Sequence, residues 1–159
     1  MPSDMPFEKA ELRRRALRYL QEHTTMTLAT VGPEGPWAAG LFYVSEEFDL
    51  YWLSNPESRH SRNLAYEPRV AVTIHEDYRD WRIIQGLQME GSAREIGPPE
   101  WTGRPMALYL AKYPFLKDPP LPLRHALTRM RVYRFQPTRI YFIDNTRGFG
   151  VREEVPVTS

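Results

Sequence analysis

Apolar positions along the chain follow two rhythms, a helical one at the start and a strand-like one after it. Phe7, Leu12, Ala16, Tyr19 and Leu20 recur at approximately helical spacing opposite Arg13, Arg14 and Arg18, which predicts an amphipathic helix over about 7–22 capped by Ser3 or Asp4. Glu8, Glu11 and Glu22 are interspersed with the arginines, so the polar side is expected to be a solvated face. From Met26 the apolar runs become short, rich in β-branched and aromatic residues, and punctuated by glycine, proline and acidic turns. TMTLATV, the turn GPEG and PWAAGLFYV predict a hairpin. After Ser45-Glu46-Glu47, FDLYWLS predicts a third consecutive antiparallel strand.

Ser58 is placed to cap a short helix through Leu64 or Ala65 that ends before Pro68, after which RVAVTIH returns to sheet. The charged loop EDYRD follows. WRIIQGLQMEGSAREI predicts one or two strands, with bends or bulges at Gly86 and Gly91. A helix is expected from about Arg104, a bent connection through the prolines at 114, 119, 120 and 122, and two closing strands, MRVYRF and RIYFID, separated by Gln136-Pro137-Thr138. The pattern predicts an α+β, mainly β, protein: a small antiparallel barrel with an N-terminal helix and peripheral helices, since closure removes exposed edges. No repeat or linker divides it, so one domain is expected over 1–159, with the barrel over about 25–144 and a C-terminal tail over 145–159.

Composition narrows the function. At 159 residues the chain is short for two well-buried cores, and the 42% hydrophobic and 13% aromatic content suits a packed domain. Twenty-one Lys and Arg against twenty Asp and Glu leave a net charge of +1, which removes the global field of a nonspecific nucleic-acid binder. Any anion site must therefore be local. The absence of cysteine excludes disulfides, thiolate nucleophiles, zinc ribbons and cysteine-held iron–sulfur clusters. MPSDMPFEKAELRRR is too charged for a signal peptide, and no stretch approaches the roughly 20 apolar residues of a spanning helix. A cytoplasmic protein without membrane or nucleic-acid partners is expected.

Several catalytic templates fail. His75-Glu76 lacks the second histidine of a metalloprotease helix, with Arg79 in its place, and no metal site is expected. Glycine-rich phosphate loops, dinucleotide fingerprints and serine-hydrolase elbows are missing too. Glu46-Glu47 and Glu153-Glu154 fall in expected turns and read as solvated pairs rather than catalytic dyads. The informative stretch is LYWLSNPESRHSRNL, where a strand emerges at Ser54 and a turn delivers Ser58, Arg59, His60 and Arg62 to the start of a helix. Hydroxyls, cations and free helix N–H groups together suit a phosphate; a plain helix cap with surface basic residues is the competing reading.

The order TMTLATV, PWAAGLFYV, LYWLSNPESRHSRNL, PRVAVTI, DWRIIQGLQMEG and RFQPTRIYFID resembles the FMN-binding split-barrel proteins, the pyridoxamine 5′-phosphate oxidase-like superfamily, over about Thr25 to Asp144. Within it, Asp-Trp-Arg, Gly-Leu-Gln and the Ile-Asp segment resemble one small subgroup. The resemblance implies a Greek-key split barrel that forms a homodimer, with two FMN molecules in clefts between protomers. It implies Ser58, Arg59 and His60 at the phosphate turn, Ala38, Ala39, Gly40 and Leu41 along the isoalloxazine, Leu53 and Ser54 before the turn, and Gln85 and Gln88 bracketing the place of a ring-binding glutamine. Two departures stand out: Ala38 where family oxidases commonly carry arginine, and His60 where they carry lysine. The substrate-binding Arg-x-His-Asp segment has no match, although Arg134-Phe-Gln-Pro137 echoes a terminal Arg-Leu-x-Pro, so vitamin B6 oxidation is not the leading expectation.

The expected function is an FMN-dependent oxidoreductase acting with a small-molecule redox substrate or electron donor, without an identified catalytic residue. A non-catalytic flavin carrier is the alternative, with FAD, coenzyme F420 or haem as other cofactors; His23, His60, His75 and His125 are the haem candidates. Trp37, Phe42, Tyr43, Tyr51, Trp52 and Trp81 offer flat apolar surfaces, and Trp81 is expected at a ligand cleft or dimer seam, against a competing place in the core. Gln85 and Gln88 have odd separation, so they face one ligand only if Gly86 breaks the alternation or one acts through its backbone.

Overall fold

The computed structural model describes residues 7–159; Ser3, Asp4 and the side chain of Phe7 lie outside the described residues. Helix α1 spans Phe7–Glu22 and buries Leu12, Ala16, Tyr19 and Leu20. Arg14 and Arg18 are exposed and pair with Glu11 and Glu22 on the same helix. Arg13 departs from the expected solvated face. Its side chain is only 12% exposed, its guanidinium lies 5.3 Å from the Phe48 ring, and it bonds Glu47 at 2.8 Å, because an arginine stem can cover apolar surface while its head keeps a polar partner.

Strands β1 (Thr25–Gly32) and β2 (Gly35–Phe42) form the expected hairpin, closed by the two-residue turn Pro33-Glu34. The run PWAAGLFYV is not one strand, however. It breaks at buried Tyr43, whose N–H donates to the Thr24 carbonyl (3.1 Å) and whose hydroxyl donates to the Leu20 carbonyl (2.6 Å). These bonds to the end of α1 and the residue linking it to β1 redirect the chain into β3 (Val44–Glu46), which turns back into β4 (Asp49–Ser54). The chain then forms α2 (Arg59–Tyr66), β5 (Arg69–His75), a 3-10 turn at Trp81–Ile83 and β6 (Gln85–Ile96). Three short helices follow, α3 (Pro98–Trp101), α4 (Arg104–Lys112) and α5 (Leu121–Leu127), then β7 (Arg131–Asp144) and β8 (Arg152–Val155).

The strands form one antiparallel sheet in the order β2-β1-β5-β6-β7-β4-β3, with β8 added along β7. Consecutive β2 and β3 therefore stand at opposite ends of the order, and the sheet curls into a split barrel. β4 does not ladder with β2, contrary to the expected three-stranded run. It pairs with β7 from Leu50↔Phe135 to Ser54↔Arg131, and β2 approaches β4 without strand pairing. That unpaired approach is the opening of the barrel.

Three further expectations are corrected. The two closing strands are one 14-residue strand, β7, because Thr138 bulges out between Glu90↔Arg139 and Gly91↔Pro137; Pro137 is tolerated at such an irregularity. Gly86 keeps its register, pairing with His75 and Ile143, so only Gly91 marks a bulge. The proline-rich connection holds a 3-10 turn at Pro114–Lys117 and α5, since a proline in the first helical turn starts a helix rather than breaking it. The C-terminal segment returns to the sheet as β8, with Val155 in the core, and Glu153 and Glu154 sit on that strand, paired with Arg147 (3.0 Å) and Arg139 (3.2 Å).

The core fills the barrel with inward residues of β1 and β4 to β8, among them Met26, Leu28, Leu50, Trp52, Val72, Ile74, Leu87, Met89, Phe135 and Phe142. α1 packs its apolar face on the same cluster, while α3 and α4 lie over Val44, Tyr51 and Ile96 on the outer side of the sheet. No helix among the described residues is long and apolar enough to cross a membrane.

Candidate functional site

The end of β4 and the start of α2 form a polar corner against the barrel. Ser54 shares the inward face with Leu50 and Trp52, and Asn55 to Glu57 turn the chain into the helix. Ser58 is the N-cap, its Oγ accepting from the Ser61 N–H. His60 Nε2 lies 2.8 Å from Ser54 Oγ and 3.2 Å from Ser58 Oγ, so one imidazole nitrogen ties strand to cap. Burial pushes the His60 pKa below its usual value, since desolvation disfavours the cation.

Arg59 completes the corner. Its guanidinium carbon sits 4.3 Å from the centre of the Trp37 ring on β2, and its Nη2 donates weakly to the Glu34 carbonyl at 3.5 Å. Its Nε is buried and makes no hydrogen bond, its nearest anion being the Glu34 carboxylate at 4.0 Å. A buried donor left without a hydrogen bond is costly, and an anionic oxygen suits the Arg59 guanidinium; the Ser58 hydroxyl donates to the Asn55 carbonyl at 2.8 Å and would turn from it to meet the same anion. The donor set therefore fits a phosphate.

A buried seam beneath the corner fixes α2 on the barrel. Asn63 Nδ2 donates to Thr30 Oγ1 at 3.1 Å, both residues being buried, and Gly32 leaves room for that amide: a Cβ there would stand 2.0 Å from Asn63 Oδ1. Thr30 and Ser61 were not among the expected site residues. The signal available for Thr30 was its parity, a polar residue in phase with Met26 and Leu28 on the inward side of β1.

The four β2 candidates divide between two faces. Ala38 and Gly40 point outward, and the strand register extends them into two rows of mostly small side chains, Ala38–Ala29–Ala71–Glu90 and Gly40–Thr27–Thr73–Gln88. This is a smooth wall on which a planar ring could lie, with the exposed Gln88 amide at one end. Ala39 and Leu41 point inward opposite Leu28 and Met26, leaving only their backbone to any ligand outside. The free edge of β2 borders the opening whose other side is β4.

The remaining candidates lie elsewhere. Gln85 shares the inward face with Leu87, near Arg15 and Asp144, and its carbonyl accepts from the Tyr19 hydroxyl at 3.0 Å. Because Gly86 keeps the alternation, Gln85 and Gln88 do not point toward one ligand. Leu53 faces the outer side of β4, under α4. Trp81 is 54% exposed on its 3-10 turn, edge-on to Phe149 at 5.6 Å, which removes the core reading. Of the other histidines, His23 stacks on Tyr19 and lies 2.9 Å from Glu76, while His75 and His125 are exposed on separate elements.

Comparison with known proteins agrees with this architecture. The family model described as pyridoxamine 5′-phosphate oxidase matches residues 12–144. The UPF0306 protein of Klebsiella pneumoniae (strain 342) is 27% identical over 135 residues, 84% of this chain and 85% of that one. Among solved structures, the haem storage protein HutZ of Vibrio cholerae superposes with a TM-score of 0.64 at 20% identity, over 80% of this chain and 91% of the other. An FAD-binding protein of Mesorhizobium loti gives 0.63 at 17% identity, over 81% and 91%. Both share the fold. With the family match running from the middle of α1 to the end of β7, the chain belongs to the pyridoxamine 5′-phosphate oxidase family.

Proposed function

We propose that the protein binds FMN, with the phosphate in the β4–α2 corner and the isoalloxazine against the outward wall of β2 and β1, and that it is a flavin-dependent oxidoreductase acting on a small molecule. The observation that carries this reading is the convergence, at one helix start, of Ser54, Ser58, His60 and an Arg59 Nε that makes no hydrogen bond. Bound flavin would supply the electron or hydride transfer. The chain's own task is then placement: Arg59 and the serines hold the phosphate, Ala38 and Gly40 let the ring approach the strand, and Gln88 offers an amide to its polar edge. Such a site needs no acid–base pair from the protein. The flavin-binding and haem-storing neighbours support a planar redox ligand for this fold, and the donor set here favours the phosphorylated one. In this reading a second copy of the chain covers the outward wall and completes the cleft.

Ligand-stripped protein titrated with FMN, FAD, coenzyme F420 and haem tests the assignment. One FMN per chain, held more tightly than the other three, is the expected result; protein that leaves the FMN spectrum unperturbed contradicts it. Stopped-flow reduction of the bound flavin by NADH, NADPH or reduced deazaflavin then decides between an oxidoreductase and a carrier, which no donor would reduce at a useful rate.

A further inference from the structure

On the side of β4 opposite the polar corner, the outer face of the sheet and the peripheral helices form a half-open pocket of about 350 Å³. Leu53 and Val132 form its floor, and Trp101, Met106, Tyr109 and Leu127 its walls. No lining residue carries a formal charge. Small-molecule sites are commonly clefts of about 300–1,000 Å³ lined mainly by apolar side chains with a few placed polar groups. Here the polar groups are confined to the hydroxyls of Tyr51 and Tyr109 and the indole N–H of Trp101. Water there finds few partners and is readily displaced by an apolar ligand.

The cover over the cavity is the least anchored part of the fold. None of the residues of α3, α4, α5 or the Pro114–Lys117 turn is fully buried, whereas the strands beneath are packed on both clusters. The pocket's volume and its apolar lining with a few polar groups match those of small-molecule sites, so its occupant is a small molecule. Met106 and Met130 add flexible thioether side chains that adapt to a ligand's shape. Burial holds the Tyr109 phenol neutral, its pKa pushed up to about 12, which makes it a hydrogen-bonding group and not a charge at any physiological pH.

We infer that the cavity under α3–α5 is a second ligand site, taking an uncharged, largely apolar molecule of about the size of two fused rings, with a single hydroxyl or carbonyl that bonds the Tyr109 hydroxyl. The adjacent residues Leu53 and Ser54 face opposite sides of β4, one toward this cavity and the other toward the polar corner. The inference therefore stands independently of flavin binding.

The test uses the full chain titrated with 2-naphthol, naphthalene and 2-naphthalenesulfonate, followed by calorimetry and by the indole N–H resonance of Trp101. Expected are one saturable site per chain for the two uncharged probes, at least tenfold weaker binding of the sulfonate, and a shift of the Trp101 resonance. Leu127→Trp should fill the cavity and weaken both uncharged probes at least tenfold while circular dichroism stays native; Met106→Trp, on the exposed rim, serves if that variant does not fold. Tyr109→Phe should abolish the preference for 2-naphthol over naphthalene. Absence of saturable binding, binding that leaves Trp101 unmoved, unchanged affinity in the filled variants, or a preference retained in Tyr109→Phe would overturn the inference.

Discussion

His60 is where one side chain decides most. Burial lowers its pKa in the folded protein, so between that value and the unfolded value near 6.5 the unfolded chain binds more protons. The stabilising share of this residue is present above about pH 6.5 and is lost as pH falls through the folded-state value. Urea midpoints should therefore drop more steeply between pH 7 and pH 5 in the wild type than in His60→Gln. Parallel slopes would show that His60 does not titrate in this way. A bound phosphate dianion acts in the opposite sense, raising the imidazole pKa, so FMN should weaken as pH rises through the bound-state value and His60→Lys should flatten that dependence.

Gly32 decides how closely α2 seats on the barrel. Asn63 is held by Thr30 and cannot swing aside freely, so Gly32→Ala should cost about 1–3 kcal/mol of stability, read as a lower melting temperature, and should loosen α2. The cap at Ser58 was legible in the sequence because capping is local. The Thr30–Asn63 bond was not, since it joins positions 33 residues apart that only the curled sheet brings together.

Among the elements, strand alternation and the cap identified most pieces, and tertiary contacts decided how they join. Nothing within PWAAGLFYV announces the break at Tyr43; it comes from hydrogen bonds to Leu20 and Thr24. Likewise Pro137 looks like a strand terminator until the bulge at Thr138 accommodates it. That bulge depends on Gly91, where a Cβ would stand 2.2 Å from the Gln136 carbonyl oxygen and 2.8 Å from Pro137 Cα. Backbone cannot yield as a side chain can, so Gly91→Ala should destabilise by about 3 kcal/mol, more than Gly32→Ala, in matched denaturant titrations. Ser58→Ala should remove about 1 kcal/mol through the lost cap alone and also weaken FMN; an unchanged FMN affinity would take Ser58 out of the phosphate site.

At the largest scale, the barrel's opening between β2 and β4 and the outward wall beside it are where, in the proposed reading, a second chain completes the site. The sequence order pointed to the family, but it did not reveal that Ala39, Leu41 and Gln85 turn inward while Ala38, Gly40 and Gln88 turn outward; the alternation had to be anchored by the ladder registers. Sedimentation velocity should find a dimer that carries two FMN, and a monomer that binds FMN at full affinity would refute the shared cleft.

The claim beneath all of this is that the β4–α2 corner grips a phosphate, and comparing FMN with riboflavin isolates that group. With two charge-assisted hydrogen bonds at stake, FMN should bind at least about a hundredfold more tightly than riboflavin, and Arg59→Ala should erase most of the difference while leaving riboflavin affinity unchanged. Equal affinity for the two flavins in the wild type, or a preference for FMN that survives in Arg59→Ala combined with Ser58→Ala, would contradict it.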